Sequence, residues 1–276
     1  MIKSKSTKLK AKRVFLAKGT CSHTFFYLLN REFGFPKEEE ERAIDLLAGG
    51  ILQQGYQCGM LWGASMAIGA EAYRRCENID QATELTIKAT QSIMQSFLKR
   101  TKSIECLEIT SCDFSKKTGL LKLFFSGQAF SCLNLAGKWG SEAIIAAHDG
   151  LSLQLSNPPI KAQSCASEVV RKMGGTEEEI AMVAGFAGGL ALQGSGCGAL
   201  AAAIWMTILK LVREDGWKST LSDPATEKIL HNFYKATDYE MACSEICGRK
   251  FNTIEEHTEY INTGGCGKLI SVLAGT

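Results

Sequence analysis

From Cys21 the chain reads CSHTFFYLLNREFG. Phe25, Leu28, Leu29 and Phe33 recur there at the spacing of one helix face before Gly34 and Pro36 interrupt it. CASEVVRKMGG, from Cys165, repeats the pattern more briefly. A second helix is expected to begin near Pro36 in one place and near Thr176 in the other. Each start carries glutamates that suit the positive end of a helix dipole, and each pattern runs on to a glycine pair. Beyond the glycines come two apolar helices, CGMLWGASMAIGAEAYRRC and CGALAAAIWMTILKLVRE, whose small residues suit close packing. Asp223 followed by Pro224 marks another helix start, with the aspartate as cap, and Asp80 is expected to cap its equivalent. Strand-like alternation is scarce, and its best instance, LLKLFFSG (120–127), fits a helix equally well. The pattern predicts an all-α protein of two similar tandem helical bundles. The seam falls in DGLSLQLSNPPIKAQ (149–163), giving units 1–150 and 151–276.

The two bundles are written from one template. AGGILQQGYQCG (48–59) and AGGLALQGSGCG (187–198) lie 139 residues apart and match without a gap. The likeness extends back through KEEEERAIDLLAGG and TEEEIAMVAGFAGG. It extends forward to segments that share Ala-Thr-Glu, Phe-x-Lys-x-Thr and Cys-x-Glu-Ile. Self-similarity of this kind identifies a duplication of about 130 residues. Residues 21–147 and 165–276 are therefore expected to follow one chain path, the second copy being shorter after its last cysteine.

At 276 residues, 45% hydrophobic, 22% charged and a net charge of +2, the composition is that of an ordinary globular chain. No apolar run reaches the roughly 18 residues that crossing a bilayer needs, so no membrane span is expected. Six of the first thirteen residues are basic (Lys3, Lys5, Lys8, Lys10, Lys12, Arg13). They are read as a solvated segment, with no nucleic-acid partner. The start lacks the apolar stretch of a secretory signal, which points to the cytoplasm and to reduced thiols.

Eleven cysteines, an odd number, then call for metal binding or thiol chemistry rather than a closed disulfide framework. Laid together, the halves pair Cys21, Cys58, Cys106 and Cys132 with Cys165, Cys197, Cys243 and Cys266, at spacings of 37, 48 and 26 against 32, 46 and 23. Cys76, Cys112 and Cys247 have no partner in this alignment; packing is the reading for Cys76 and Cys112, and Cys247 stays open. Glycines beside Cys58 and Cys197 suit a backbone that ends one helix and opens another, and an opening helix lowers a thiol's pKa. Both are expected as thiolates.

Four thiolates per half suit a two-iron or four-iron cluster and equally a structural zinc. Neither Cys-x-x-Cys knuckles nor ferredoxin spacing occurs, and ligands spread one per helix fit a pocket between helices. A thiol-disulfide enzyme is the second class, with Cys243 and Cys247 on one helix face and His23 near Cys21. His148, His231 and His257 are read as surface or satisfied interior residues. A non-catalytic scaffold is the third class, and it leaves the paired cysteines without a reason.

A lone cysteine, a glycine-rich segment and two later cysteines, with QCGMLWG at 57–63 and GCGALAA at 196–202, resemble the redox-active C_GCAxxG_C_C family over most of both halves. That resemblance implies redox activity or cluster binding, and a related module occurs in split-Soret cytochromes beside an iron-sulfur site. Cys-x-x-Cys-His is absent, so covalent haem is not implied. The expectation is a cytoplasmic electron-transfer protein that holds iron-sulfur clusters on the eight paired cysteines and meets a redox partner protein. The sites are open to lie within halves, across them or as one bridge, and a homodimer is compatible with all three.

Overall fold

The computed structural model describes residues 2–116, 128–220 and 222–275, without the side chains of 2–9 and 128–129. The stretch 120–127 lies outside the described residues. Among those described there are fourteen α-helices and no strand. The first repeat contains α1 (Ile2–Lys18), α2 (Cys21–Phe33), α3 (Glu38–Ala43), α4 (Gly59–Arg75), α5 (Ile79–Thr101), α6 (Cys106–Thr110) and α7 (Gln128–Leu151). The second contains α8 (Cys165–Lys172), α9 (Glu177–Met182), α10 (Gly198–Asp215), α11 (Pro224–Ala236), α12 (Cys243–Cys247), α13 (Ile254–Asn262) and α14 (Gly267–Ala274). The stretch 149–163 read as the seam covers the last turn of α7 and most of the non-helical chain before α8.

Caps account for most boundaries. Thr20 accepts from the His23 amide at the start of α2, and Gly34, at φ 86, closes its end. Thr176 and Glu179 form a reciprocal capping box on α9. Asp223 caps α11 through Oδ1, which accepts from the Ala225 amide at 2.9 Å, and its Oδ2 accepts from the Trp217 indole. The cap expected at Asp80 belongs to Asn78, which accepts from the Gln81 amide; Asp80 sits within the first turn. An Asp223→Ala variant should accordingly lose about 1 kcal/mol. Asp80→Ala should stay within about 0.5 kcal/mol of the parent. Urea midpoints compare the two directly, and equal losses would contradict the cap assignment.

The helix expected to run from Pro36 to the glycine pair is shorter than its apolar pattern suggests. α3 stops at Ala43, one 3-10 turn covers Asp45–Leu47, and the chain then reverses hand. Five successive residues, Gly49 to Gln53, have φ values of 72, 80, 56, 49 and 65. Gly188 to Leu192 repeat this with 59, 75, 63, 52 and 66. Each is a left-handed turn in which three of five residues carry a side chain. Such residues are disfavoured by roughly 1–2 kcal/mol apiece and are ordinarily met singly. The turn is tied down identically in both copies: the amide of Gly55 donates to the Gly49 carbonyl and that of Gly194 to Gly188, each at 2.9 Å.

One core runs through both repeats. In the first, α2 packs on α4, α4 on α5, and α5 on α7; in the second, α10 packs on α8 and α11. The repeats interlock where α9 lies against α4 and α10 against α3. Trp62 meets Phe186 edge-on at 4.6 Å, and Trp205 donates its indole N–H to the Glu40 carbonyl. Small residues permit this approach: a Cβ at Gly69 would lie 2.3 Å from the Ala181 carbonyl oxygen.

Candidate sulfur sites

Most of the paired cysteines stand at helix starts. Cys21, Cys106, Cys165 and Cys243 are first residues of α2, α6, α8 and α12; Cys58, Cys197 and Cys266 immediately precede α4, α10 and α14. Cys132 lies in the second turn of α7, a helix of 24 residues, whereas α14 after Cys266 has 8. This is the shortening expected at the end of the second copy.

The same short ladder draws these starts together in each repeat. The Cys58 amide donates to the Ile104 carbonyl and the Cys106 amide to Tyr56; Cys197 and Cys243 do the same to Met241 and Ser195. An isolated antiparallel bridge, Gln57 with Glu105 or Gly196 with Ala242, results in each case. The glycine after the second cysteine then makes room: a Cβ at Gly59 would sit 2.6 Å from the Cys21 sulfur. In the other repeat a Cβ at Gly189 would sit 2.9 Å from Cys243 Cβ.

The sulfurs gather within each repeat and not across the two. Cys21 is hydrogen-bonded with Cys58, and charge on Cys21, Cys132 or Cys112 would bear on Cys106. In the second repeat Cys243 lies 3.9 Å from Cys247, and Cys247 lies 3.7 Å from Cys266. Cys165 and Cys197 face the same group. Each site therefore assembles five cysteines. The alignment by sequence missed the fifth, because Cys112 is six residues after Cys106 while Cys247 is four after Cys243. Cys247 ends α12 and Cys112 lies two residues beyond the end of the equivalent α6, and a helix-level comparison would have paired them. Cys76 is different: half-buried at the end of α4, its charged neighbours are Glu84 and Arg75.

The thiolates are not where helix starts alone would put them. Cys58 lies well above the ordinary range, raised by its hydrogen bond with Cys21 and by burial, despite the Met60 amide. Burial pushes Cys197 up to about 12, against the amides of Leu200 and Ala199. The helix contribution exists, and desolvation exceeds it. The favoured thiolates are Cys21, lowered by Cys58 and by the amides of Gly49, Cys21 and Ser22, and Cys247, lowered by Cys243, Cys266 and Tyr260. The left-handed turns thus have a local result: their first amide, of Gly49 or Gly188, points at the sulfur of Cys21 or Cys165.

Histidines flank both sites. His23 is held by Asp45, 3.2 Å from Nδ1, and its Nε2 is buried without a hydrogen-bond partner. His257 is buried against the Gln163 carbonyl and lowered to about 4 by burial, so it is neutral at pH 7. It is the satisfied interior residue expected, although it also borders Cys247.

A polar seam joins the sites. Gln57 Nε2 donates to the carbonyls of Gly189 at 2.9 Å and Gly196 at 3.2 Å, and Ser195 donates to Glu105 Oε1 at 2.6 Å. Both contacts fall beside site cysteines.

As donors, five buried or half-buried sulfurs with amide N–H groups aimed at them suit a soft metal or a metal-sulfur cluster. Among the described residues, no group of three or more His, Cys, Asp or Glu side chains is already set around a single ion. The thiols instead contact one another in pairs.

Two stretches, residues 20–139 and 162–276, match the model of one family, described as "Putative redox-active protein (C_GCAxxG_C_C)". The two stretches bracket the two sulfur groups. No curated protein and no solved structure matches the chain.

Proposed function

Because the chain belongs to the C_GCAxxG_C_C family, in two tandem copies, we propose that each repeat, 1–150 and 151–276, holds one iron-sulfur cluster and that the protein carries electrons for a partner protein. The observation that carries this reading is the gathering of one sulfur set per repeat. The ligands are Cys21, Cys58, Cys106 and Cys132 in the first and Cys165, Cys197, Cys243 and Cys266 in the second. Bound there, a two-iron or four-iron cluster supplies one-electron transfer.

The chain's own residues shape that chemistry. Amides of Gly49 and Ser22 in one repeat, and of Gly188 and Ala166 in the other, donate to ligand sulfurs. Such donors favour the more negative state and raise a centre's potential. Burial of Cys58, Cys106, Cys165, Cys197 and Cys243 keeps water from most of the sulfur. The wider family description, redox-active, agrees with free thiols in a reducing compartment, and the cytoplasm is the location we assign. No helix among the described residues is long and apolar enough to cross a membrane.

Zinc is the weaker reading, since structural zinc modules hold their ligands in short Cys-x-x-Cys knuckles and the sequence has none. Protein purified without oxygen should be coloured and should contain iron and acid-labile sulfide in equal amounts, at two clusters per chain. Stoichiometric zinc, or colourless metal-free protein after cluster reconstitution, would refute the reading.

A further inference from the structure

We propose that Cys247 and Cys266 form a reversible disulfide that closes the second sulfur site to metal, a reaction the first site does not share. The proposal rests on the two sulfur groups described above and adds a reaction to one of them. Cys247 ends α12 and Cys266 precedes α14, so the pair joins two different elements with sulfurs 3.7 Å apart. A disulfide needs about 2 Å, and the surroundings of Cys266 permit the approach. Cys266 sits at φ 58 in a run of glycines; a Cβ at Gly264 or Gly267 would meet nothing within 4 Å, while one at Gly265 would meet the Tyr260 ring at 2.4 Å, so the space lies on the Gly264 and Gly267 sides.

Access distinguishes this pair from the other contact in the site. Cys247 and Cys266 are both partly exposed, whereas Cys243, at 3.9 Å from Cys247, is buried. In the first repeat the corresponding Cys112 is fully buried, and Cys132 lies in the second turn of the long helix α7. Cys21 and Cys132 are partly exposed too, but the counterpart of the attacking Cys247 is the buried Cys112, so an external disulfide reaches the nucleophile of the second site and not that of the first.

The oxidant is a low-molecular-weight disulfide. The Cys247 sulfur attacks one of its sulfurs and releases one small thiol, leaving a mixed disulfide. The Cys266 sulfur then attacks Cys247 and releases the second. Two electrons pass from the pair to the small disulfide, and the two cysteine protons leave on the two thiols. The closed pair removes the sulfur of Cys266 from the ligand set.

The test uses metal-free full-length protein treated with oxidised glutathione, then alkylated and mapped by mass spectrometry. A Cys247–Cys266 peptide is expected in the parent chain, absent from both Cys247→Ser and Cys266→Ser and reversed by dithiothreitol. Linkage of Cys247 to Cys243, or free alkylation of both Cys247 and Cys266, overturns the proposal. Far-ultraviolet circular dichroism checks that each serine variant is folded. Reconstitution of the oxidised parent should then take up about half the iron of the reduced parent, and undiminished uptake would also overturn it. If the reduced parent takes up no iron, the cluster reading fails alone, and the peptide map still decides the disulfide.

Discussion

Anaerobically prepared Cys58→Ser and Cys197→Ser proteins should each hold about half the iron and sulfide of the parent, and the double variant should hold none. The reason is the separation of the sulfur groups. Cys58 bears on Cys21 and Cys106, and Cys197 on Cys165 and Cys247, so neither set borrows from the other. Serine keeps the volume and loses the thiolate that clusters require. The structural cost should stay on the order of 1–2 kcal/mol. Cys76→Ser, altered at a cysteine whose charged neighbours are Glu84 and Arg75, should retain full iron. Complete loss in either single variant would show one shared centre, and full retention in both would remove Cys58 and Cys197 from the ligand set.

Gly198→Ala should be the most damaging methyl addition among the described glycines. Its Cβ would fall 1.8 Å from the Phe186 carbonyl oxygen, a backbone atom with no rotamer to change. Overpacking of this kind costs about 3 kcal/mol. Its counterpart Gly59→Ala meets the Cys21 sulfur at 2.6 Å and Ala48 Cα at 3.0 Å, so part of the strain can be relieved by moving the sulfur. The two variants should therefore separate. Gly198→Ala should lose stability most, and Gly59→Ala should lose iron from the first repeat with a smaller shift of the urea midpoint. Gly267→Ala, with open space around it, should fall within about 0.5 kcal/mol of the parent. Equal midpoints for Gly198→Ala and Gly267→Ala would contradict the packing described.

Helix faces and caps were legible because they are local. Phe25, Leu28 and Leu29 face the core as their spacing requires, and Asp223 caps α11. The duplication was legible because gapless glycines and cysteines survive where apolar residues interchange. What escaped was whatever depended on through-space neighbours. Ile51, Leu52 and Gln53, and Leu190, Ala191 and Leu192, have no composition that announces positive φ. Their conformation is set by Gly49 and Gly50, or Gly188 and Gly189, before them and by hydrogen bonds closing over them. Cys112 and Cys247 escaped because a two-residue offset hides their shared place at the C-terminal end of equivalent short helices. Thiolate placement escaped because through-space effects outweigh the helix start, the hydrogen bond with Cys21 followed by burial at Cys58 and burial at Cys197.

Gln57 and Gly196 occupy matching positions of the two copies, and they are complementary rather than alike. A Cβ at 196 would lie 2.7 Å from Gln57 Oε1 and 2.9 Å from Tyr56 Cβ. The glutamine of one copy thus fills the place where the other has no side chain, and it supplies the donor for that copy's Gly189 and Gly196 carbonyls. Two first copies facing each other in this manner would bring two glutamines to one space, and two second copies would leave two carbonyls in each copy without that donor. The chain behaves as a covalently joined heterodimer whose partners have diverged past interchange: a gene carrying either copy twice would encode an interface that no longer closes.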